Sequence, residues 1–532
     1  MAALSYRPLP HALAAAVGLA SFVLVAAGMA AARPVHASTT IIVDTLADGH
    51  LDSGATTCRS ATAGGRCALR AAVELADLQG AGGDVTITLG RVGTDQFQLS
   101  LGELAITRGM TIAGAGSASS AVLGDGHERV FHVSAAGAAV QLSGLAVRSG
   151  ASAADGGGIR NTGSLTLTDV RVEGNDALIG GGIADYGTLR LNPGVVVTGN
   201  HALGMRGVGG GIAEFGTLTA SAAVLSANTA DVVGGNLMID HPGVDQRTPE
   251  HGSATLTGTA ITQGVAGFGG GIAVETGGTL TLTASTLSGN AARRPGGGIG
   301  GGIVNSCGTL QLTNDTLDGN VAQDGSGGAI LNGCGGAALD FVTIAGNEAG
   351  RAGQPGVTTP IGAGIQVDGG RLTIHDSIVA NGPREAGGKN CVVAAQATLV
   401  SLGYDLEDAG DCGFASTGDQ TGKDPRLAAL RNNGGPTATR ALTAGSPAVD
   451  AADPRCDVSA DQRGIVRPQG SRCDIGAFEL EQPGPSSSAP PRPPVTGAAG
   501  SDPGAGVLAA LLVMAALGGA GGAVLAWRRR RA

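Results

Sequence analysis

Residues 156–175 read GGGIRNTGSLTLTDVRVEGN, and this stretch decides the fold. A glycine run leads into Ile159. Leu165 and Leu167 then alternate with Thr166 and Thr168, and Asn175 closes the segment. Alternation with a period of two marks a strand with one buried face. The same plan returns at 180–200 (GGGIADYGTLRLNPGVVVTGN), 209–228, 269–290, 300–320, 327–347 and 362–381. From each leading isoleucine (Ile159, Ile183, Ile212, Ile272, Ile303, Ile330, Ile365) to its closing asparagine is 16 to 18 residues. Chance glycine richness does not hold that offset through seven copies, so the period is structural.

The repeat's chemistry is that of a β-coil. Between the two apolar strand positions stand Thr166, Arg190, Thr219, Thr281, Gln311, Asp340 and Thr373, all polar, so this face is read as solvated. Glycine runs give room and positive φ for tight corners. The closing asparagines suit left-handed corner residues whose amides bond the amide one coil away. Glycine and threonine at this density exclude a helical array. The expected fold is all-β, a right-handed parallel β-helix with a small N-terminal helical cap and a C-terminal disulfide-containing module. Weaker coils at 85–89 (VTITL) and 97–101 (FQLSL) extend the solenoid to 84–385, about twelve coils and about 60 Å at one strand spacing each. Gly234-Gly235-Asn236-Leu237 opens a degenerate coil, followed by an insertion around His241 to His251.

Composition agrees. The 532 residues include 95 glycines, aromatics are 2%, and the one tryptophan is Trp527. Such a chain must stack small aliphatic side chains rather than bury rings. Setting aside Arg7, Arg33, the four terminal arginines and Asp502 leaves 27 basic against 42 acidic residues between Ser38 and Gly497, a net of −15. That disfavours nucleic acid or anionic lipid as a partner.

Both ends read as export and tethering signals. Arg7, an apolar stretch from Leu13 to Ala32 and the small-x-small exit Val35-His36-Ala37 predict a signal peptide over 1–37, cleaved after Ala37. The other reading is an uncleaved anchor. At the far end, a Pro/Ser/Gly linker (482–506) precedes an apolar run (507–527) long enough to cross a bilayer and a basic tail (528–532). Pro493-Pro494-Val495-Thr496-Gly497 resembles the sortase pentapeptide LPxTG, with Pro493 in place of leucine. The resemblance implies cleavage between Thr496 and Gly497 and attachment to a cell wall; the alternative is a plain transmembrane tether. Either places the body at the cell surface.

Cys307 lies four residues after Ile303, and Cys334 four after Ile330. Stacked coils put this pair about 4.8 Å apart, within reach of a disulfide. The others fall into near pairs: Cys58 with Cys67, Cys391 with Cys412, Cys456 with Cys473. Eight cysteines without a CxxC or Cys/His cluster favour disulfides over a metal site in an exported chain.

Two flanking segments carry a family resemblance. Ile41-Ile42-Val43-Asp44-Thr45 and Cys67-Ala68-Leu69-Arg70-Ala71-Ala72 resemble the CSLREA-type module that precedes bacterial β-helices, with Ala68 and Ala71 replacing the motif's serine and glutamate. This segment (38–83) is read as a cap, with a helix over Leu69 to Leu78 closing the first coil. The segment 386–481 is similar to the choice-of-anchor Q domain. The matching stretches are Asn432-Asn433-Gly434-Gly435-Pro436, Gly445 to Asp450, Asp461-Gln462-Arg463-Gly464, Arg467-Pro468, and Cys473 to Glu479. The resemblance implies a bacterial surface protein in which this module follows a pectin-lyase-like β-helix; it supplies no catalytic residues.

Enzymes built on parallel β-helices need clustered carboxylates. One column offers them: Asn161, Asp185, Glu214, Asp240, Glu275, Asn305, Asn332 and Asp368 follow the leading aliphatic residue by two or three positions. Asp185 and Glu214 are the catalytic candidates, with Asp240 and Glu275 extending the row. The competing reading makes them turn residues before glycine, and the GHG, paired-Asp and GGxGxD motifs are absent. No cofactor is implied. Asp405, Glu407, Asp408 and Asp411 beside Cys412 offer oxygens of the kind calcium takes, against a solvated loop. His201, His241, His251 and His375 read as surface or turn residues. Two functions stand: a non-enzymatic adhesin or envelope component binding an extracellular glycan or protein, or a polysaccharide lyase, hydrolase or epimerase acting on acidic glycans through Asp185 and Glu214.

Overall fold

A computed structural model describes residues 38–79, 85–90, 95–135, 137–240, 251–350, 361–381 and 388–481. In it the repeats stack in parallel and in register. Ile159, Ile183, Ile212, Leu237, Ile272, Ile303, Ile330 and Ile365 form one buried column, with Leu237 supplying the degenerate coil. Leu165, Leu189, Leu218, Ala254, Leu280, Leu310, Ala337 and Leu372 form a second. The fold is a right-handed parallel β-helix. Its sheets have 24, 11 and 7 strands, here sheets 1, 2 and 3. One coil shows the path: Ile303–Asn305 in sheet 2, Thr309–Thr313 and Thr316–Asp318 in sheet 1, then Val321–Gln323 in sheet 3. Between the two sheet 1 strands the chain bends at Asn314, whose φ is 56°.

The glycine run has three separate causes. In 180–182, Gly180 takes φ 60°. A Cβ on Gly181 would lie 2.4 Å from the His201 carbonyl oxygen, and one on Gly182 would lie 2.6 Å from that of Gly211. The chain one turn further on leaves no room for a side chain at either position.

The asparagines differ from the expectation in one respect. For every closing asparagine except Asn381 the left-handed residue is the preceding one, such as Gly174, Gly199, Ala227 or Gly289. Those asparagines turn inward and are buried, and their amides join a ladder. Oδ1 of Asn200 accepts both the backbone N–H (3.1 Å) and the Nδ2 (2.9 Å) of Asn175. Asn228 does the same for Asn200, Asn320 for Asn290, and Asn347 for Asn320. One coil carries Gly264 at this corner, and Asn236, standing where other coils have the third glycine, fills the gap. Asn228 donates to Asn236 at 2.8 Å, and Asn236 donates to Asn290 at 3.0 Å. Side chain and glycine have exchanged places, and the ladder continues.

Two further expectations are corrected by register. Ala338, not Asp340, stands in the column of Gln311 and Thr373; Asp340 pairs with His375. Coil stacking also passes both ends of 84–385. Thr39–Val43 already pairs with Val85–Leu89, and Lys389–Val393 and Thr398–Ser401 continue sheets 2 and 1.

Each end is closed. Helix α1 (Leu69–Leu78) buries Leu69, Ala72, Val73, Leu75 and Ala76 in the main core. Arg70 bonds Asp48 at 2.8 Å and the carbonyls of Gly102 and Glu103 at 2.6 and 2.8 Å, tying cap to coil. Beyond Thr421 the chain turns back and lies on the outer face of sheet 1. There Leu442, Ala448, Ile475 and Phe478 share a core with Phe341, Ile378 and Leu406. Disulfides join Cys58 to Cys67, Cys307 to Cys334, Cys391 to Cys412 and Cys456 to Cys473. The second of these links adjacent coils, with Cα atoms 4.7 Å apart. Ala37, Thr496, Gly497 and the 507–527 run lie outside the described residues. Among the described residues no helix is long and apolar enough to cross a membrane.

Candidate functional site

The carboxyl pair comes first. Ile183–Asp185 and Ile212–Glu214 are adjacent three-residue strands of sheet 2. Alternate side chains share a face, so the third residue joins the first on the inside. Asp185 and Glu214 are both 0% exposed. They stand in line with Ile239 and Val274 of the interior core, so Asp240 and Glu275 fall one residue past the column and do not extend it. Asp185 Oδ1 accepts Nδ2 of Asn161 (2.5 Å) and the N–H of Gly187 (3.4 Å); Glu214 Oε1 accepts the N–H of Gly216 (2.8 Å). Asn161 and Asn305 receive the N–H of Gly163 (3.1 Å) and Gly308 (2.9 Å) in the same way. These side chains fix the turn that carries the chain from sheet 2 to sheet 1.

Asp185 Oδ2 and Glu214 Oε2 accept no N–H or hydroxyl from the described residues. Burial pushes Asp185 up to about 7 and holds Glu214 well above the usual carboxyl range, with the Asp185 charge adding to the rise. Two carboxyls so placed cannot both ionise, and a proton held between them satisfies both remaining oxygens. Neither group is open to a substrate.

A polar network lies on the outside of sheet 2, where His132 and Arg160 are paired neighbours. Glu103 accepts from Arg129 (2.6 Å) and His132 (3.2 Å). Arg160 bonds His132 Nε2 (2.9 Å) and Asp155 (3.0 Å), and Asp155 also takes Arg129 (3.1 Å) and the Tyr186 hydroxyl (3.0 Å). The His132 hydrogen bond and the Arg129 guanidinium hold Glu103 down at about 2. Tyr186 stacks on Phe215 with centroids 4.9 Å apart. A signal for this contact is present in the sequence: Tyr186 and Phe215 occupy one repeat position in a chain almost without rings. The network is half-open and charge-balanced. Its carboxylates are all engaged, so it offers recognition rather than a free base.

The acidic stretch at 405–411 does not form one cluster. Asp405 is buried and accepts the Ser377 N–H at 2.9 Å. Glu407, Asp408 and Asp411 instead meet Asn390, at 3.3, 2.6 and 3.0 Å, where the amide ladder ends. Cys412 is held in its disulfide.

His375 does not behave as a plain surface residue. Its Nδ1 lies 3.1 Å from Asp340 Oδ1 and 3.4 Å from Asp376 Oδ2, and its Nε2 lies 3.8 Å from Asp453 Oδ2. The Asp340 hydrogen bond and the Asp376 charge push His375 up to about 9. Burial lifts Asp376 to about 6, while Arg455 holds Asp453 near 2. Among the described residues His201, by contrast, pairs with Asp231, and His251 with Asp240. His241 lies outside the described residues.

No family model matches the sequence, and no curated protein does. Among solved structures the fold is similar to "Crystal structure of pectate lyase Pel9A", at 11% identity and a TM-score of 0.40, over 84% of this chain and 97% of that one. That likeness is too loose to speak to chemistry.

Proposed function

We propose that this chain is a non-enzymatic surface protein, an adhesin or envelope component that presents a rigid polar rod to an extracellular glycan or protein. One observation carries the reading: the paired repeat carboxyls that acid/base or calcium-assisted cleavage would use are sealed inside the coil, at 0% exposure, and serve its turns. What faces solvent in sheet 1 is a ladder of Thr166, Arg190, Thr219, Thr281 and Gln311, which bonds ligands without supplying a general base. Four disulfides suit an oxidising, extracellular setting. The signal over 1–37 and the apolar run over 507–527, with or without cleavage at Thr496-Gly497, tether the rod by membrane or cell wall.

The test incubates the full chain with uronate-containing and neutral glycans, with and without calcium. Saturable binding without shortened or unsaturated products is expected, unchanged in Asp185→Asn. Turnover that disappears in Asp185→Asn would overturn the reading and restore the polysaccharide enzyme.

A further inference from the structure

We propose that Asp340, His375 and Asp376 form a binding site for a divalent transition ion of the zinc or manganese class, at the junction of the β-helix and the module folded back on it. Three residues from two adjacent coils converge there. Asp340 and His375 are register partners, and Asp376 follows His375 at the bend of its coil, with φ 47°. That left-handed bend turns two consecutive side chains toward one point. The two carboxylate oxygens lie 3.1 and 3.4 Å from Nδ1. Ligand atoms bound at about 2.0–2.1 Å around one ion stand at such separations from each other.

An independent observation comes from Asp376. The residue is 0% exposed, and its Oδ1 accepts the Asp453 N–H at 2.7 Å. Its Oδ2 is buried, takes no hydrogen bond among the described residues, and points at His375 Nδ1. A buried carboxylate oxygen without a hydrogen bond is costly unless a cation meets it, and a bound ion would take over from the His375 ring 3.4 Å away. The local charge leans the same way. Asp340, Asp376, Asp405 and Asp453 surround the imidazole; Arg455 pairs with Asp453 at 3.0 Å, and the Arg467 charge also acts on Asp376.

Asp453 stands in a different role. It faces Nε2 at 3.8 Å, opposite the proposed ion. At that distance it acts by its charge rather than by a hydrogen bond, favouring a proton on Nε2 when Nδ1 holds the ion. Asp453 belongs to the docked module, whose Gly476 N–H also bonds the Asp376 carbonyl at 2.8 Å. The ion would bind through the coil and be braced by the module. One imidazole with two carboxylates suits zinc or manganese better than calcium, which takes oxygen alone. Binding places the Nδ1 lone pair on the metal and releases the proton held there.

The experiment strips the full chain of metal, dialyses it against Zn²⁺, Mn²⁺ or Ca²⁺ singly, and counts bound ion. One equivalent of Zn²⁺ or Mn²⁺ is expected, with affinity reduced about tenfold or more in His375→Gln and Asp376→Asn. Asp340→Asn alters a half-exposed side chain, so it keeps the test open if a buried change unfolds the chain; it should weaken binding similarly. Cobalt bound by the wild type should show a visible absorption band that His375→Gln removes. His201→Gln should change nothing. Zn²⁺ and Mn²⁺ uptake that is undetectable, or unaltered by His375→Gln and Asp340→Asn, would overturn the proposal. So would a preference for Ca²⁺ retained in His375→Gln.

Discussion

The second strand of sheet 1 in each coil shows one column in two settings. Val196, Val224 and Ala260 face outward in coils left open, and each is half-buried. In the next coils the same column holds Thr286, Thr316 and Thr343, at 2%, 0% and 1% exposure under the C-terminal module. Across these six coils the usual hydropathy is inverted, although the column holds Arg171 before them and, after them, Ile378 and Leu406, which pack into the module's apolar core. Single apolar residues on an open strand are ordinary, and β-branched ones favour the pleat. A covered strand has a stricter requirement, because the irregular module brings polar groups that need partners. Thr286 Oγ1 donates to the Ala438 carbonyl at 2.5 Å, Thr316 to Gln462 Oε1 at 2.6 Å, and Thr343 accepts the Ala477 N–H at 3.0 Å. Hydroxyls stand where the module presents polar groups, and apolar side chains stand at Ile378 and Leu406, where it presents Leu442, Ala448 and Phe478.

The comparison breaks hardest at Arg467. Its guanidinium meets Glu479 at 3.1 Å, and both side chains are 0% exposed. It also bonds the carbonyls of Asp474 and Gly476, and lies 4.4 Å over the Phe341 ring of the coil beneath. Arg467→Met leaves Glu479 buried without its cation, a loss of about 3–5 kcal/mol. The expected outcome is undocking: protease cleavage within 424–481 while the coils stay intact, and a lower denaturation midpoint. An unchanged midpoint would show that the module is held by something other than this pair.

Next in size is a test in the open half. The inward column of sheet 2 has amides beneath the covered coils, at Asn305 and Asn332, but carboxyls at Asp185 and Glu214. Asp185 is raised to about 7 from 3.8, so the folded chain keeps a proton that the unfolded chain gives up. Its contribution is fully present below about pH 4 and is lost as pH rises toward 7, the reverse of acid denaturation. Asp185→Asn makes this coil resemble its neighbours. It should raise stability at pH 8 by an amount on the order of 3 kcal/mol, and flatten the fall in stability between pH 4 and 8. Urea titrations across that range check it; a wild-type curve flat between pH 4 and 8 would refute the shared proton.

Parity alone would have placed that pair. Asp185 lies two residues after the inward Ile183, so a strand must point it inward as well. The leucine and isoleucine columns, helix α1 and the Cys307–Cys334 contact were legible because each follows from a local period. Asp340 was misplaced because it lies between Leu339 and Phe341, a stronger apolar pair than Ala337 and Leu339; counting eight residues from Ile330, as from Ile303 to Gln311 and from Ile365 to Thr373, gives Ala338. The His375 group and the docking face were not legible for a different reason. Asp376 and Asp453 are 77 residues apart, and the segment between them has no repeat to fix which coil the module lies on.

Thr316→Val converts a covered position into its open counterpart, since Val224 stands in the same column three coils earlier. The change is nearly isosteric but removes the donor to Gln462 Oε1, which is buried. A loss of about 1–2 kcal/mol follows from one unsatisfied buried acceptor. Val224→Thr in the open half should stay within about 0.5 kcal/mol. Equal effects in the two variants would erase the distinction between the faces.

The smallest effect belongs to the open network on sheet 2. Glu103 is depressed to about 2 by His132 and Arg129, yet its side chain keeps 27% exposure. Solvent and salt therefore screen much of what the shift suggests, and Glu103→Gln should cost only about 1 kcal/mol or less at pH 7. The sign is that of a depressed carboxyl. The contribution is present above about pH 4.5 and fades as pH falls toward 2, so variant and wild type should converge in acid. Raising salt should narrow their difference at pH 7, whereas the Arg467→Met loss, sealed beneath the module, should persist. Salt sensitivity thus separates the two halves: a Glu103 effect that ignores salt would mean this network is as enclosed as the docking face, and that the open half of the rod is covered too.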